Sequence, residues 1–128
     1  MNLLLDTHAF LWFIDGNPKL SSIARKRIED RENIKWVSVA SLWEMAIKAS
    51  LGRLNLKQPF EVLIPAQLEM NGFLLLPLRV NHIAKSMSLP FHHRDPFDRI
   101  LAAQCIVEKM SVVSVDAIFD QYSMPRCW

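Results

Sequence analysis

Two short apolar runs each end in an aspartate, and this feature constrains the fold more than any other. Asn2-Leu3-Leu4-Leu5 meets Asp6, and Ser111-Val112-Val113-Ser114-Val115 meets Asp116. Apolar, β-branched runs of this length read as buried strands. A carboxylate directly after such a strand lies at its C-terminal end, where open α/β sheets collect their chemistry. Ionised carboxylates are costly there unless something positive joins them, and a hard divalent cation is the simplest partner.

Between those runs the chain alternates strand and helix signals. Thr7 to Ile14 is apolar at helical spacing and stops at Asp15-Gly16-Asn17-Pro18. Ser21-Ser22 cap a helix from Ile23 to Asp30, and residues 34–39 have strand composition. Leu42, Met45, Ala46 and Ala49 form one face of a helix from Ser41 to Leu51. Phe60 to Met70 is a helix loosened by Pro65, and Phe73 to Leu76 a third strand. Asn81 caps a short helix to Met87. Asp95-Pro96 opens a long one, to about Met110, with Asp as N-cap and Pro in the first turn. Residues 111–115 are the fourth strand, Ala117 to Tyr122 is a helical turn, and Arg126-Cys127-Trp128 is the candidate edge strand. Such alternation implies a mostly parallel sheet of four to five strands covered by helices on both faces, a three-layer α/β/α domain spanning residues 1–128.

Composition narrows the function classes. The chain of 128 residues is 51% hydrophobic and 22% charged, which is globular and argues against disorder. Its formal charge of +2 does not announce nucleic-acid binding, although clustered acids leave the remaining surface more basic than the total. No apolar stretch reaches the roughly 18 residues of a membrane span, and the N-terminus lacks the basic region of a signal peptide. Cys105 and Cys127 are expected to be unpaired, in keeping with a cytoplasmic protein.

Asp6, Glu44, Asp98 and Asp116 follow strands or begin the helices after them, so a parallel sheet brings all four to one edge. Leu4-Leu5-Asp6-Thr7-His8, Ser41-Leu42-Trp43-Glu44-Met45-Ala46-Ile47-Lys48, His93-Arg94-Asp95-Pro96-Phe97-Asp98-Arg99 and Ser114-Val115-Asp116 resemble the PIN-domain nucleases, and more narrowly the VapC-type toxins of toxin–antitoxin pairs. The resemblance implies a PIN-like fold, an acidic cluster that binds Mg²⁺ or Mn²⁺, and cleavage of single-stranded RNA, with transfer or ribosomal RNA as targets. It also implies a homodimer inhibited by a cognate VapB-type antitoxin. Carried over by position, Asp6, Glu44, Asp98 and Asp116 are the site acids. Thr7 and Ser114 are hydroxyls that support them, and Asp95 belongs to the Asp-Pro-Phe-Asp-Arg signature. The Pro-interrupted tail departs from the family pattern and leaves the fifth strand open.

Mg²⁺ needs only one or two direct carboxylates. Asp6 and Asp98 are expected to bind it directly, and Asp116 directly or through water. Glu44, with its longer reach, orients or deprotonates the attacking water. In-line attack would leave a 5′-phosphate and a 3′-hydroxyl. Each acid also has a plainer reading. Asp6, Asp95 and Asp116 suit caps, Asp98 complements a helix dipole, and Glu44 suits a solvated helix surface, paired with Lys48 one turn on.

Arg94 and Arg99 flank the acids as phosphate contacts or as ion-pair partners of Asp95 and Asp98. His8, His92 and His93 are read as outside the site, because adjacent histidines rarely ligate one ion and no cysteine lies at zinc spacing. His82 is read as a surface residue. Trp12, Trp36 and Trp43 are read as core, with RNA stacking as the alternative. The apolar surface of Leu11, Trp12, Phe13 and Trp43 is a candidate seat for an antitoxin helix. Two rival functions stay open: a metal-dependent phosphohydrolase of small esters, and a non-catalytic module that binds RNA or a partner. A haloacid-dehalogenase-type phosphatase wants a second aspartate where His8 stands.

Overall fold

The computed structural model describes all residues from Met1 to Trp128. Five parallel strands form one sheet in the order β3-β2-β1-β4-β5, with β1 at Asn2–Leu5, β2 at Ile34–Ser38, β3 at Leu74–Leu76, β4 at Ser111–Val113 and β5 at Arg126–Cys127. Six α-helices connect them: α1 (Thr7–Asp15), α2 (Ser22–Glu29), α3 (Val39–Ser50), α4 (Phe60–Asn71), α5 (Val80–Ser88) and α6 (Pro96–Glu108). A 3-10 helix covers Ala117–Gln121.

The central strand shows why the layers form. Leu3, Leu4 and Leu5 are all fully buried. Successive side chains on a strand face opposite sides. Leu3 and Leu5 join Phe10, Ile28, Val37, Met45 and Val113 in one core. Leu4 joins Leu101, Ala102, Val112 and Phe119 in the other. A strand apolar on both faces is stable only when both are covered, which is the α/β/α sandwich expected from the alternation.

Several boundaries move by a residue or two. β4 ends at Val113, so Ser114 and Val115 lead into the Asp116 turn. α3 begins at Val39, because the Ser38 hydroxyl accepts from the Ala40 N–H and caps it. α5 starts at Val80 and Asn81 is not its cap; the ring of His82 accepts from the Arg79 N–H instead. Pro65 does not break α4, which runs unbroken to the left-handed Gly72. The fifth strand does form. The Val112 N–H donates to Pro125 O and the Ser114 N–H to Cys127 O. Arg126 secures it by pairing with Asp120 and donating to Ser114 O. Both cysteines are free, and no helix is long and apolar enough to cross a membrane.

His82 is wholly buried rather than on the surface, packed where α5 meets α6 and close to Gln104 and Glu108. Trp36 is half-buried, with its N–H on the Asn2 side chain. Trp43 contradicts the core reading: it is 63% exposed and packs edge to face on Phe97.

Candidate metal centre

β1 lies between β2 and β4, so the chain leaves it to opposite sides and opens a crevice at its C-terminal end. A cleft of about 170 Å³ occupies that position, lined by Asp6, Glu44, Asp95, Asp98 and Asp116 with Thr7 and Lys48. All four predicted acids converge there, together with Asp95.

Local capping aims several of them. Asp6 accepts from the Ala9 N–H at the start of α1, and the Ser114 hydroxyl accepts from the Asp116 N–H. Asp116 uses Oδ1 to cap the 3-10 helix at the Ile118 N–H, leaving Oδ2 for the site. Asp95 accepts from the Phe97 N–H as the cap of α6. The capping and site readings are therefore compatible for Asp6 and Asp116, because a carboxylate has two oxygens. Glu44 is 7% exposed and held at both ends. It accepts from the Thr7 hydroxyl, and its Oε2 lies 2.8 Å from Lys48 Nζ. The Glu44–Lys48 pair is thus present, and Thr7 and Ser114 each bond one of the acidic residues, Glu44 and Asp116.

Electrostatics marks the cleft as short of positive charge. Burial is the largest cause that pushes the Asp98 carboxyl up to about 7, followed by repulsion from Asp95, with Asp6 and Glu44 adding to it and His93 opposing. Burial also raises Asp6, against the lowering effect of its hydrogen bonds. Five carboxylates line the cleft against Lys48 and the imidazole of His8, which was read as outside the site and instead lies on its wall.

His93 was not expected there. It is 5% exposed, and its Nε2 lies 2.7 Å from Asp116 Oδ2. Tyr122 backs it. The phenol oxygen accepts from the His93 N–H and lies 3.1 Å from Nδ1. A phenol proton on Nδ1 and a ring proton on Nε2, donated to Asp116, satisfy every one of these groups. Ligand atoms of His93, Asp98 and Asp116 all lie within 4.8 Å of one another. Asp6 and Glu44 line the same cleft beside that trio. The one sequence signal for His93 is its place two residues before the Asp95 cap, on the loop that enters α6 at the same sheet edge.

Arg99 is neither a phosphate contact nor an ion-pair partner. Its guanidinium is buried and donates to the carbonyls of Ser86, Leu89 and Pro90, closing the C-terminal end of α5. Arg94 remains exposed beside the cleft, in no ion pair.

The donor set fits a divalent cation. Carboxylate oxygens suit Mg²⁺ and Mn²⁺, one imidazole is compatible with the latter, and the surplus negative charge is what such an ion offsets. Fold and crevice together define an α/β protein with a carboxylate-lined centre at a topological switch point. The PIN domain family model matches residues 3–124, and the chain belongs to that family. No curated protein sequence matches the chain significantly. Among solved structures, a chain of VapBC2 from Rickettsia felis bound to a DNA fragment from its promoter is similar at TM-score 0.70 and 13% identity, covering 100% of both chains. A chain of VapBC-1 from nontypeable Haemophilus influenzae matches at TM-score 0.65 and 15% identity, over 98% of this chain and 96% of that one. A toxin–antitoxin complex from Klebsiella pneumoniae matches at TM-score 0.52 and 10% identity, over 90% and 87%.

Proposed function

We propose that this chain, acting as one PIN domain, is a VapC-type toxin: a cytoplasmic endoribonuclease that uses Mg²⁺ or Mn²⁺ to hydrolyse phosphodiester bonds in transfer or ribosomal RNA. The observation that carries this reading is the convergence of five carboxylates on one cleft, with Asp98 pushed up to about 7. Names of the similar structures, VapBC and a toxin–antitoxin complex, support the narrower assignment.

Asp98, Asp116 and Asp6 would hold the ion, with His93 either keeping Asp116 in place or adding a nitrogen ligand. When bound, the ion supplies Lewis-acid stabilisation of the phosphate and an activated water. Glu44, fixed by Thr7 and Lys48, would orient the attacking water and accept its proton. The cleft admits a phosphate only after its own charge has been offset, so metal and RNA bind together. The reading is tested by incubating purified protein with total RNA in Mg²⁺, in EDTA, and as Asp6→Asn. Discrete fragments with 5′-phosphates in the first arm alone are expected. Cleavage that survives EDTA or the substitution would overturn it.

The partners have candidate surfaces. Leu11 and Ile14 of α1 line a groove of about 360 Å³ with Leu54, Leu56 and Leu63, and an amphipathic antitoxin helix fits such a trough. Trp43 does not line it. Trp12 does not line it either and packs on Trp128. Leu11→Lys should weaken capture of the cognate antitoxin if that helix lies in this groove. Leu74, Leu75, Val80, Ile83 and Met87 are exposed around the β3 edge, and we assign the homodimer contact to them. Met87→Lys should shift the protein toward monomer in sedimentation.

A further inference from the structure

Beside the acidic cleft lies a second groove, of about 400 Å³, which shares Glu44, Lys48 and Asp95 with it. The two are therefore neighbouring parts of one surface. The character of the second differs. Ile47 and Leu51 of α3 form its apolar floor, Phe97 of α6 one wall, and Arg53 and Arg94 supply positive charge.

The two arginines are unusual for their position. Both are exposed, next to a cleft with five carboxylates, yet neither takes part in any of the protein's ion pairs. Neither side chain makes a hydrogen bond within the chain, in contrast to the buried Arg99 and to Arg126. Lys48 is already committed to Glu44. The guanidinium groups are thus the free cations of the groove, and a guanidinium with no internal partner matches the two oxygens of a phosphate.

The aromatic residues complete the pattern. Trp43 immediately precedes Glu44 and Phe97 immediately precedes Asp98, so the two acids carry an aromatic neighbour each. Their rings pack edge to face, with centroids 5.8 Å apart, and Trp43 is 63% exposed. An exposed tryptophan backed by a half-buried phenylalanine, beside free arginines, is the composition of a stacking platform for unpaired bases. Duplex RNA keeps its base faces covered by its own stacking, so this platform suits a single strand.

We propose that this groove holds the nucleotide next to the scissile phosphate: Arg53 and Arg94 bind its phosphate, and the Trp43–Phe97 pair stacks its base. The assignment rests on the nuclease reading for which phosphate is cut, but binding is measurable without cleavage. The probe is a fluorescein-labelled 12-nucleotide single-stranded RNA of mixed sequence, titrated by anisotropy in Mg²⁺ with Glu44→Gln protein, which keeps the three aspartates assigned to the ion while the strand stays whole. Arg53→Gln and Arg94→Gln are each expected to weaken binding about fivefold or more and to flatten the dependence of log Kd on log salt by about 0.7. Trp43→Ala is expected to weaken it about tenfold with the salt slope unchanged. All three side chains are exposed, and the rise in melting temperature with Mg²⁺, read on the same substitutions in the wild-type background, should stay as it is.

Unaltered RNA affinity in the three variants overturns the proposal, as does equal affinity for duplex RNA or equal displacement by poly-glutamate. If total RNA is cleaved by the wild type and the variants bind and cleave like it, the groove assignment falls and the nuclease reading stands. If the variants lose binding while the wild type never cleaves, the groove assignment stands and the nuclease reading falls. A Glu44→Gln protein that does not bind the strand in Mg²⁺ overturns the groove assignment outright.

Discussion

Asp98→Asn is expected to stabilise the metal-free protein at pH 8 and to blunt its response to Mg²⁺. The carboxyl has its ordinary value of 3.8 in the unfolded chain and about 7 in the fold. The folded state therefore holds the proton more tightly. Below pH 3.8 the group is neutral in both states and costs nothing. As pH rises the unfolded chain ionises first, and the penalty on folding is complete above about 7. The gap corresponds to about 4 kcal/mol. Asp98 is only partly buried, so solvent screening cuts this to about 2 kcal/mol. A charge in the first turn of α6 also gains about 0.5 kcal/mol from the helix dipole, which asparagine forgoes. The net expectation is a gain of about 1.5 kcal/mol at pH 8 in EDTA, or about 5 °C in Tm. The difference should vanish near pH 3.5. Urea unfolding followed by tryptophan fluorescence measures it. Saturating Mg²⁺ at about 100 times its Kd should then add about 2.7 kcal/mol to the wild type, and less than half as much to the variant. A variant less stable than wild type at pH 8 in EDTA would refute the claim that the cleft is short of positive charge.

Other expectations follow from particular contacts. Arg99→Gln removes the guanidinium that bonds three carbonyls at the end of α5 and should cost about 3 kcal/mol in urea unfolding, with RNA affinity of the folded fraction unchanged. Tyr122→Phe strips the partner from the His93 N–H and Nδ1 and should cost about 1–2 kcal/mol. It should also weaken Mn²⁺ binding by calorimetry, because Asp116 then loses its fixed neighbour; unchanged Mn²⁺ affinity would count against His93 as a positioning residue. Cys105 is fully buried with its thiol pushed up by desolvation, so it should resist alkylation at pH 8 until the protein unfolds, which mass spectrometry reads directly.

Much of this protein is legible locally. Leu3-Leu4-Leu5 before Asp6 and Val112-Val113 before Asp116 identify strands whose ends carry acids, because a buried strand must be apolar and its end is where polarity returns. Asp95-Pro96 marks the start of α6 to the residue, since cap and first-turn chemistry act over two or three positions. Parallel pairing then follows from the alternation of strand and helix, and with it the convergence of the acids on one edge. By contrast, the contacts that tie the separate parts of the centre together join distant residues. Thr7 to Glu44 spans 37 positions and His93 to Asp116 spans 23. Arg99 turns back to α5 rather than toward the acids, His82 goes inside, and Trp43 stays out. Periodicity and capping are set by a residue's near neighbours in the chain. Which long side chain meets which partner is set by how helices from separate crossovers pack against the sheet, and that is decided only when the tertiary fold closes.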